Sequence, residues 1–400
     1  MTVAGASNGN DLRETLVGRA RDLVPVLRER AAIPDRTRTI PRETHQAFVD
    51  AGFYRILQPA RYGGYEANLE TMIDVAAELG RGCGSSTWVF TNLLMQTWIN
   101  GRKDRRAQEE LWADDPNAQT ASSFPDRAAE IREVDGGFAV SGEWHYSSGI
   151  DFASWNNLQL FFKPEKGPPF VAFAAVPESD YEVIDDWDMT GLRGTGSRSL
   201  RVEDAFIPEY RIHRVQDDKA LETPGGRINP GTIYRLPFWG IGARAFSAPA
   251  VGLARGMMDR VVDDIRDRTG ARGSVRLAEQ PTVQARVAES GAEIDAAWSM
   301  LLKDCADATA ITEAGRVADL ETRTRWRRNN SFAIQLCLRA ADRLYALAGM
   351  RAMEPDSPVA RIWRDIRAAS SQVGTAWDPQ ATNYGKALFG LPLADPRARS

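Results

Sequence analysis

The spacing of apolar residues changes twice along this chain of 400 residues, and the two changes restrict the folds that it can adopt. From about residue 11 to 118, apolar side chains recur at steps of three and four, which is typical of helices that bury one face. From about 119 to 215 the period becomes two, which predicts strands, and from about 233 the helical spacing returns. Neither helical segment looks large enough to form a complete core alone, so we expect a helical protein with an inserted β domain.

The predicted architecture is α+β, with an N-terminal helical domain (11–118), a central antiparallel β-barrel or sandwich domain (119–215) and a C-terminal four-helix bundle (233–392). A linker, Gln216–Gly231, is rich in Gly, Pro and charge and is expected to separate the last two. In the β domain an Asp135-Gly136 turn predicts a hairpin. The predicted strands are Ile131–Val134, Phe138–Val140, Asn157–Phe162, Phe170–Val176, Tyr181–Ile184 and Ser199–Ile207.

Composition excludes several classes of protein. A net charge of −4 and a pI near 5.7 argue against a general nucleic-acid binder, whose phosphate contacts call for a basic surface. Three cysteines and three histidines, scattered without ligand spacing, predict neither a disulfide framework nor a metal site. Without an apolar run of about 18 residues or a signal-peptide pattern, we expect no membrane span and a cytoplasmic protein.

Two polar stretches of the β domain, Glu143–Gly149 and Met189–Ser197, concentrate hydroxyl groups, aromatic rings and glycines. Such loops can hydrogen-bond a planar heterocycle, although ordinary β-turns with glycine at positive φ have the same composition. The run Gly194–Ser197 is half of a dinucleotide-binding motif, but a strand-like run follows it where that motif needs a helix. Further on, Asp356 or Ser357 can cap a helix that has Pro358 in its first turn.

Taken together in this order, several motifs resemble those of the acyl-CoA dehydrogenase fold over residues 14–392. Within that fold the chain is most similar to the two-component flavin-dependent monooxygenases of the 4-hydroxyphenylacetate hydroxylase large-component type. The motifs that carry the resemblance are Ala51–Phe53 with Gln58–Gly64, Ser85–Trp88, Trp144–Gly149, Gly191–Ser197, and Ala348-Gly349 with Asp356–Asp365.

This resemblance implies a homotetramer, a dimer of dimers, in which each subunit holds one reduced flavin, FAD or FMN, between the β domain and the C-terminal helices. An NAD(P)H-dependent flavin reductase would be the diffusible partner. O2 would be the co-substrate, and a C4a-hydroperoxyflavin would hydroxylate an electron-rich aromatic or heteroaromatic compound, indole- or carbazole-like or phenolic. An N-oxygenase acting on an amine or amino sugar, an acyl-CoA dehydrogenase-type desaturase and a catalytically silent flavin-binding scaffold are the alternatives.

The resemblance also assigns residues. It places Ser147 near flavin N5, where it would act in catalysis, Ser123 near the pyrimidine edge and Arg268 at the phosphates. Histidines that many phenol-hydroxylating relatives carry are replaced here by Gln96 and Gln372, which cannot take a proton at pH 7, so that His145 becomes the alternative base. Further cofactor-binding candidates are Ser122, Trp144, Ser148, Thr195, Ser197 and Gly349. The candidate substrate-pocket aromatics are Trp88, Phe90, Phe124, Trp239, Phe246 and Trp377.

Overall fold

The N-terminal part of the computed structural model is helical, and one of its helices lies entirely inside the protein. The structure describes residues 9–125, 129–163, 169–215, 222–269 and 276–393. The helices of this part are α1 (Gly9–Arg30), α2 (Ala32–Thr37), α3 (Arg42–Asp50), α4 (Leu69–Leu79), α5 (Gly84–Asn100) and α6 (Arg105–Trp112). Every residue of α5 is buried, because α4, the sheet and the C-terminal helices pack around it. α5 is therefore the element that all three parts of the fold share.

Eight strands form the central sheet within the described residues. They are β1 (Thr120–Pro125), β2 (Glu130–Val134), β3 (Gly137–Ser147), β4 (Trp155–Phe162), β5 (Phe170–Pro177), β6 (Glu182–Ile184), β7 (Arg198–Pro208) and β8 (Ile212–Arg214). The strand order is β6-β7-β3-β1-β4-β5-β8, and β2 pairs with β3 across the predicted Asp135-Gly136 turn.

One strand pair departs from the expected antiparallel sheet. β1 and β4 run parallel, with Ser122 opposite Asn157, whereas the other strand pairs are antiparallel. A period of two marks a residue as strand but does not reveal the direction of its neighbour, so the sequence could not reveal this pairing. The parallel pair places β1 and β4 side by side next to α5.

Long helices form the C-terminal part: α9 (Arg244–Arg266), α10 (Pro281–Glu313), α11 (Leu320–Ala348) and α12 (Pro358–Ser370), preceded by the short α7 (Pro224–Ile228) and α8 (Phe238–Ile241) and followed by α13 (Trp377–Leu388). α9 packs against α4 and α5 as well as against α10, α11 and α12, and so joins the two helical parts. Ser357 is the N-cap of α12, its hydroxyl accepting from the N–H of Ala360, as one of the two predicted caps.

The segment predicted as a linker is in part well packed, and this corrects the sequence prediction. Residues 216–221 lie outside the described residues, but α7 follows directly and is capped by the buried Thr223. The N–H of Gly225 donates to the carbonyl of Arg102, and the Asn229 side chain donates to the carbonyl of Gly101. Gly and Pro content indicated a break in periodicity, but it carried no information about these tertiary hydrogen bonds. No helix in the described part of the chain is long and apolar enough to cross a membrane.

Candidate functional site

A single stripe of α5 keeps slight access to solvent while the rest of the helix has nearly none. Ser85, Trp88, Asn92 and Gln96 are 5, 6, 7 and 5% exposed, whereas no other side chain of α5 exceeds 4%. Their spacing of three, four and four residues places them on one face of the helix, over a length of about 16 Å. We call this face the α5 stripe. From this residual exposure we infer a narrow space between α5, the β domain and the C-terminal helices, with the α5 stripe as its wall.

Trp88 on this stripe begins a chain of hydrogen bonds that has a defined direction. Its indole N–H donates to Ser148 Oγ at 3.1 Å, Ser148 Oγ lies 2.7 Å from Ser197 Oγ, and Ser197 Oγ lies 2.7 Å from Thr195 Oγ1. Thr195 donates its only hydroxyl proton to the carbonyl of Leu192 at 2.8 Å. Ser197 must then donate to Thr195, and Ser148 to Ser197. We call Ser148, Ser197 and Thr195 the hydroxyl chain.

The direction of the hydroxyl chain decides what it can still bind. The protons of Ser148 and Ser197 are used within the hydroxyl chain, and that of Thr195 is used on the carbonyl of Leu192. Each of the three hydroxyl oxygens retains one unused lone pair. The chain can therefore accept further hydrogen bonds but has none left to donate. It matches a ligand edge that carries N–H groups.

Two glycines hold the loop that carries Thr195 and Ser197 against neighbouring elements. A Cβ on Gly191 would lie 2.3 Å from the carbonyl oxygen of Arg364 in α12, and one on Gly194 would lie 2.1 Å from Cβ of Pro34 in α2. Only residues without a side chain allow these approaches, whatever their backbone angles. The N–H of Gly194 also donates to Ser85 Oγ on the α5 stripe. Residues 191–197 are thus fixed between α2, α5 and α12.

Asp365 secures the same loop from α12. Its carboxylate accepts from the N–H of Leu192 at 2.7 Å and is almost completely buried. Burial raises the pKa of this carboxyl to about 7, although the hydrogen bond from Leu192 favours the charged form; the nearby Asp35 raises the pKa further. This carboxyl therefore titrates near neutral pH although its function is to hold a loop.

We expect Asp365→Asn to change the pH dependence of stability. Because the folded-state pKa lies above the unfolded value, the contribution of Asp365 to stability is most favourable at low pH and is lost as the pH rises through about 7. Thermal melts of both proteins at pH 5 to 8 should show the wild type gaining on the variant as the pH falls, by at most about 1.4 kcal/mol per pH unit. Parallel profiles for the two proteins would contradict this prediction. The other titrating groups are shared and cancel in the difference, apart from those whose charges interact with Asp365, such as Asp35.

Two of the predicted flavin-binding serines are joined through an asparagine. Asn156 of β4 donates to Ser147 Oγ at 2.6 Å and accepts from Ser123 Oγ at 2.8 Å, and all three residues are fully buried. Ser147 is therefore bound within the β domain, whereas the adjacent Ser148 receives the hydrogen bond from Trp88. Ser122 is half-buried and opposes Asn157 across the parallel β1–β4 pair.

Gln96, at the far end of the α5 stripe, belongs to a second polar network. The Asn157 amide group donates to Gln96 Oε1 and to Asn100 Oδ1, both at 3.0 Å, and the Lys103 ammonium donates to Asn157 Oδ1. Lys103 is fully buried, and burial together with the nearby Arg211 lowers the pKa of its amine well below the usual value. Gln96 lies about 12 Å along α5 from Trp88.

The other predicted glutamine lies at the end of α12 opposite Trp88. Gln372 Oε1 accepts from the N–H of Gly374 in its own loop, and Gly374 lies beside the ring of Phe246. Phe246 in turn has its ring centroid 5.4 Å from that of Trp88, and with Leu192 and Ala369 the two rings form a separate apolar cluster. The structure thus brings Trp88 and Phe246 together and places the loop of Gln372 next to Phe246.

Two predicted site aromatics lie in the core instead. Phe90 is fully buried and packs against Phe48, Phe53 and Tyr54, on the face of α5 away from the stripe. Trp144 is also fully buried and donates its indole N–H to the carbonyl of Gln159. Both predictions are corrected, because a motif position does not reveal the face of the helix or strand on which a side chain lies.

Two further cofactor candidates lie elsewhere in this subunit. Arg268 donates to Asp264 and to the carbonyls of Leu347 and Ala348, so its guanidinium covers the end of α11. Gly349 is exposed, has φ of 65° and would meet no atom within 4 Å if it carried a Cβ. Neither residue contacts the α5 stripe in the described part of this chain.

His145 and three remaining aromatics occupy positions around the sheet and the C-terminal helices. His145 Nδ1 lies 2.5 Å from Ser199 Oγ, which donates to Asp186, so one ring nitrogen is engaged in a chain along β7. Its role as a base stays a prediction. Phe124 opposes His145 across β1 and β3 and is half-buried, Trp239 lies 3.8 Å beneath the Arg327 guanidinium, and Trp377 packs against Phe332.

Sequence reasoning missed Tyr146, Asn156 and Asn157. Tyr146 has φ of 65°, is 56% exposed and meets Trp187 edge-on, directly before Ser147 and Ser148. A non-glycine residue in the left-handed region is uncommon, and such residues cluster at functional sites, so Tyr146 joins the candidate residues. The one sequence feature that pointed to Tyr146 was its position within the Trp144–Gly149 motif. The two asparagines carried no signal, because only the sheet register directs them to opposite faces of β4.

Comparison with known proteins agrees with this fold. Family models for the N-terminal and the C-terminal domains of acyl-CoA dehydrogenase match residues 11–108 and 244–377. A flavin-dependent monooxygenase oxygenase subunit, HsaA, of Rhodococcus jostii is 35% identical over 93% of this chain and 98% of its own length. The oxygenase component of an FADH2-dependent resorcinol hydroxylase of a Rhizobium strain is 32% identical over 94% of both chains.

A solved structure, the 3-HSA hydroxylase of Rhodococcus sp. RHA1, superimposes with a TM-score of 0.90 at 33% identity, covering 95% of this chain and 98% of the other. These matches confirm the predicted α+β fold class, and the chain belongs to the acyl-CoA dehydrogenase family. Within that family it is an oxygenase subunit of the flavin-dependent monooxygenases, and hence an oxidoreductase.

Proposed function

We propose that this protein hydroxylates an electron-rich aromatic or heteroaromatic compound with O2, using reduced flavin that a separate reductase delivers. The observation that carries the proposal is the directed hydroxyl chain beside Trp88, which has only acceptor sites left for a ligand. Reduced flavin carries an N–H at N5 that oxidised flavin lacks, and this edge fits an acceptor. Proteins with this fold carry out either oxygenation or desaturation, so the choice between these two reactions has to be argued from the residues of the site.

The flavin would be held at the end of the space where Trp88 and Phe246 lie. Ser148 is the hydroxyl that we assign to N5, instead of Ser147, because Ser148 receives the Trp88 hydrogen bond and Ser147 is bound by Asn156. Ser147 and Ser123 then support the site from behind through Asn156. Tyr146 supplies an exposed ring for stacking next to Ser148. When bound, reduced flavin supplies the electrons that activate O2.

The protein's own contribution is to exclude water and to direct hydrogen bonds. Trp88, Phe246, Leu192 and Ala369 form an apolar enclosure next to the hydroxyl chain. In a dry site a hydrogen bond is stronger than in water, and release of activated oxygen to solvent is slower. The two amides, Gln96 and Gln372, orient the substrate but do not take its proton. A substrate that is nucleophilic without deprotonation by the protein suits this pair.

The desaturase alternative needs a carboxylate base in the site. Asp365 is the carboxylate next to the hydroxyl chain's loop, and it is committed to the N–H of Leu192. The next acidic residue along the chain, Asp378, is exposed at the start of α13. This arrangement favours the oxygenase chemistry.

We also propose a homotetramer, in line with the family resemblance. Large apolar side chains stay exposed near the ends of α11 and α13, including Met350 at 82%, Phe389 at 81% and Leu391 at 53%. Burial of such exposed large apolar side chains in a subunit interface would be favourable. Arg268 and Gly349 lie close to the same ends, so a cofactor role for them would act across such an interface.

Rapid mixing of the anaerobic complex with reduced FAD or FMN against O2 tests the proposal. We expect a transient near-ultraviolet absorbance, distinct from that of reduced and of oxidised flavin, that lasts far longer than for free flavin. Direct conversion to oxidised flavin without a transient, with or without aromatic compounds, would contradict the oxygenase function. Anaerobic bleaching of bound oxidised flavin by an acyl-CoA would instead support the desaturase.

We expect Ser148→Ala to shorten the life of this transient by about tenfold or more, since loss of one hydrogen bond in a dry site costs about 1.4 kcal/mol. The matched control is Ser147→Ala, which removes the adjacent hydroxyl and should have a smaller effect. Decay rates from the same rapid-mixing experiment compare the two variants. A larger effect for Ser147→Ala would restore Ser147 to the N5 position.

A further inference from the structure

The network behind Gln96 has a direction that the substrate must match. Lys103 Nζ carries N–H donors in either protonation state, and it faces Asn157 Oδ1. Asn157 then turns its amide N–H2 group toward Gln96 and Asn100, and both of these residues present oxygens to it at 3.0 Å. Asn100 uses its own N–H2 group on Thr120 Oγ1 at 2.9 Å. The buried lysine therefore sets the orientation of three amides in succession.

Gln96 is the last member of this network and the member on the α5 stripe. Its Oε1 is used by Asn157, and within the described part of the chain no hydrogen bond engages its Nε2. Rotation of the amide by 180° would place N–H2 against N–H2 at Asn157, which is repulsive and leaves buried donors unpaired. Gln96 can present only N–H donors to the space along the stripe.

From this we infer that Gln96 is a specificity-determining residue that selects substrates with an oxygen acceptor, such as a carbonyl, ether or phenolate oxygen, and that Lys103 and Asn157 are positioning residues that set this selection. The inference rests on the proposed function, because it takes the space beside the α5 stripe as the aromatic site. A ring N–H or an amine next to Gln96 would place its own N–H against the N–H2 group of Gln96, and neither group could accept a hydrogen bond from the other. Within the aromatic and heteroaromatic class, the inference thus favours oxygen-bearing over N–H-bearing rings.

Asn157→Asp reverses the direction of the hydrogen bonds that position 157 makes to Gln96 and Asn100, and it does not enlarge the side chain. A carboxylate accepts but cannot donate, so Lys103, Asn100 and Gln96 must all turn donors toward position 157. Asn100 can do so because the Thr120 hydroxyl is able to donate in return. Gln96 would then present its Oε1 along the stripe. The new carboxylate is paired with Lys103, so no unpaired buried charge is created.

Binding of benzofuran and of indole to the wild-type protein and to Asn157→Asp tests this inference by calorimetry. The two rings are neutral and nearly identical in shape, but one has a ring oxygen acceptor and the other a ring N–H donor. We expect the wild type to prefer benzofuran, and Asn157→Asp to prefer indole, with the ratio of the two affinities changing by about tenfold or more. Lys103→Met should bring the ratio close to one, because nothing then sets the orientation of Asn157.

Asn117→Asp is the matched control, since it makes the same substitution at an exposed position whose side chain accepts from Arg55 and lies outside the Lys103–Asn157–Gln96 network. It should leave the ratio as in the wild type. A wild-type preference for indole, an unchanged ratio in Asn157→Asp, or no binding of either ring to the wild type would each overturn the inference. Failure of the proposed function is separate, because the oxygen-mixing experiment uses reduced flavin and does not involve Gln96.

Discussion

Gly194→Ala should weaken binding of reduced flavin by at least tenfold and lower the melting temperature. The new Cβ would lie 2.1 Å from Cβ of Pro34 and within 2.9 Å of its backbone, so α2 or the loop must move. Overpacking of this kind typically costs about 1–3 kcal/mol. A shift of the loop also separates Thr195 and Ser197 from Ser148 and breaks the hydroxyl chain. Thermal melts and flavin titration under anaerobic conditions measure the two effects.

Gly18→Ala is the control for that substitution. Gly18 lies inside α1 and an added Cβ would meet no atom within 4 Å, so alanine should stabilise the helix by about 0.5–1 kcal/mol. Gly191→Ala, whose Cβ would lie 2.3 Å from the carbonyl oxygen of Arg364, should reproduce the loss seen for Gly194→Ala. Normal flavin affinity in both loop variants would show that the position of residues 191–197 does not govern the site.

Arg244→Met should cost about 3–5 kcal/mol of unfolding free energy, because it leaves a buried carboxylate without its partner. Arg244 at the start of α9 donates to Asp304 of α10 at 2.8 Å, with side-chain exposures of 0% and 1%. It also donates to the carbonyl of Trp326 in α11, so one side chain joins three helices. Denaturant titration measures the loss.

The control for this prediction is Arg132→Met, which removes an ion pair whose partners are 65% and 74% exposed. Exposed pairs contribute about 0–1 kcal/mol, so this variant should be nearly neutral. Burial raises the pKa of Asp304 and Arg244 opposes that rise, so the loss in Arg244→Met should be smaller at pH 5 than at pH 8. Equal losses in the arginine variants at positions 244 and 132 would refute the prediction.

Sequence motifs indicated many residues of the candidate site, but they could not show which residue of each motif faces it. Ser148, Thr195 and Ser197 were all candidates, and the structure joins them through hydrogen bonds that begin at Trp88. The adjacent Ser147 is turned to Asn156, because a change of register between Trp144 and Ser147 in the β3–β7 pair alters which way each side chain faces. A motif specifies residue types and spacing, whereas a bulge decides orientation.

The sequence by itself determined the order of helices and strands, because apolar periodicity reflects which face of each element is buried. It determined the Asp135-Gly136 hairpin and the cap of α12 as well, because both depend on residues that are neighbours in the chain. Only the tertiary structure decided that β1 pairs parallel to β4, that Phe90 and Trp144 belong to the core, and that Lys103 sets the orientation of Gln96. These features arise from contacts between residues distant in sequence, and periodicity along one element carries no information about its partner.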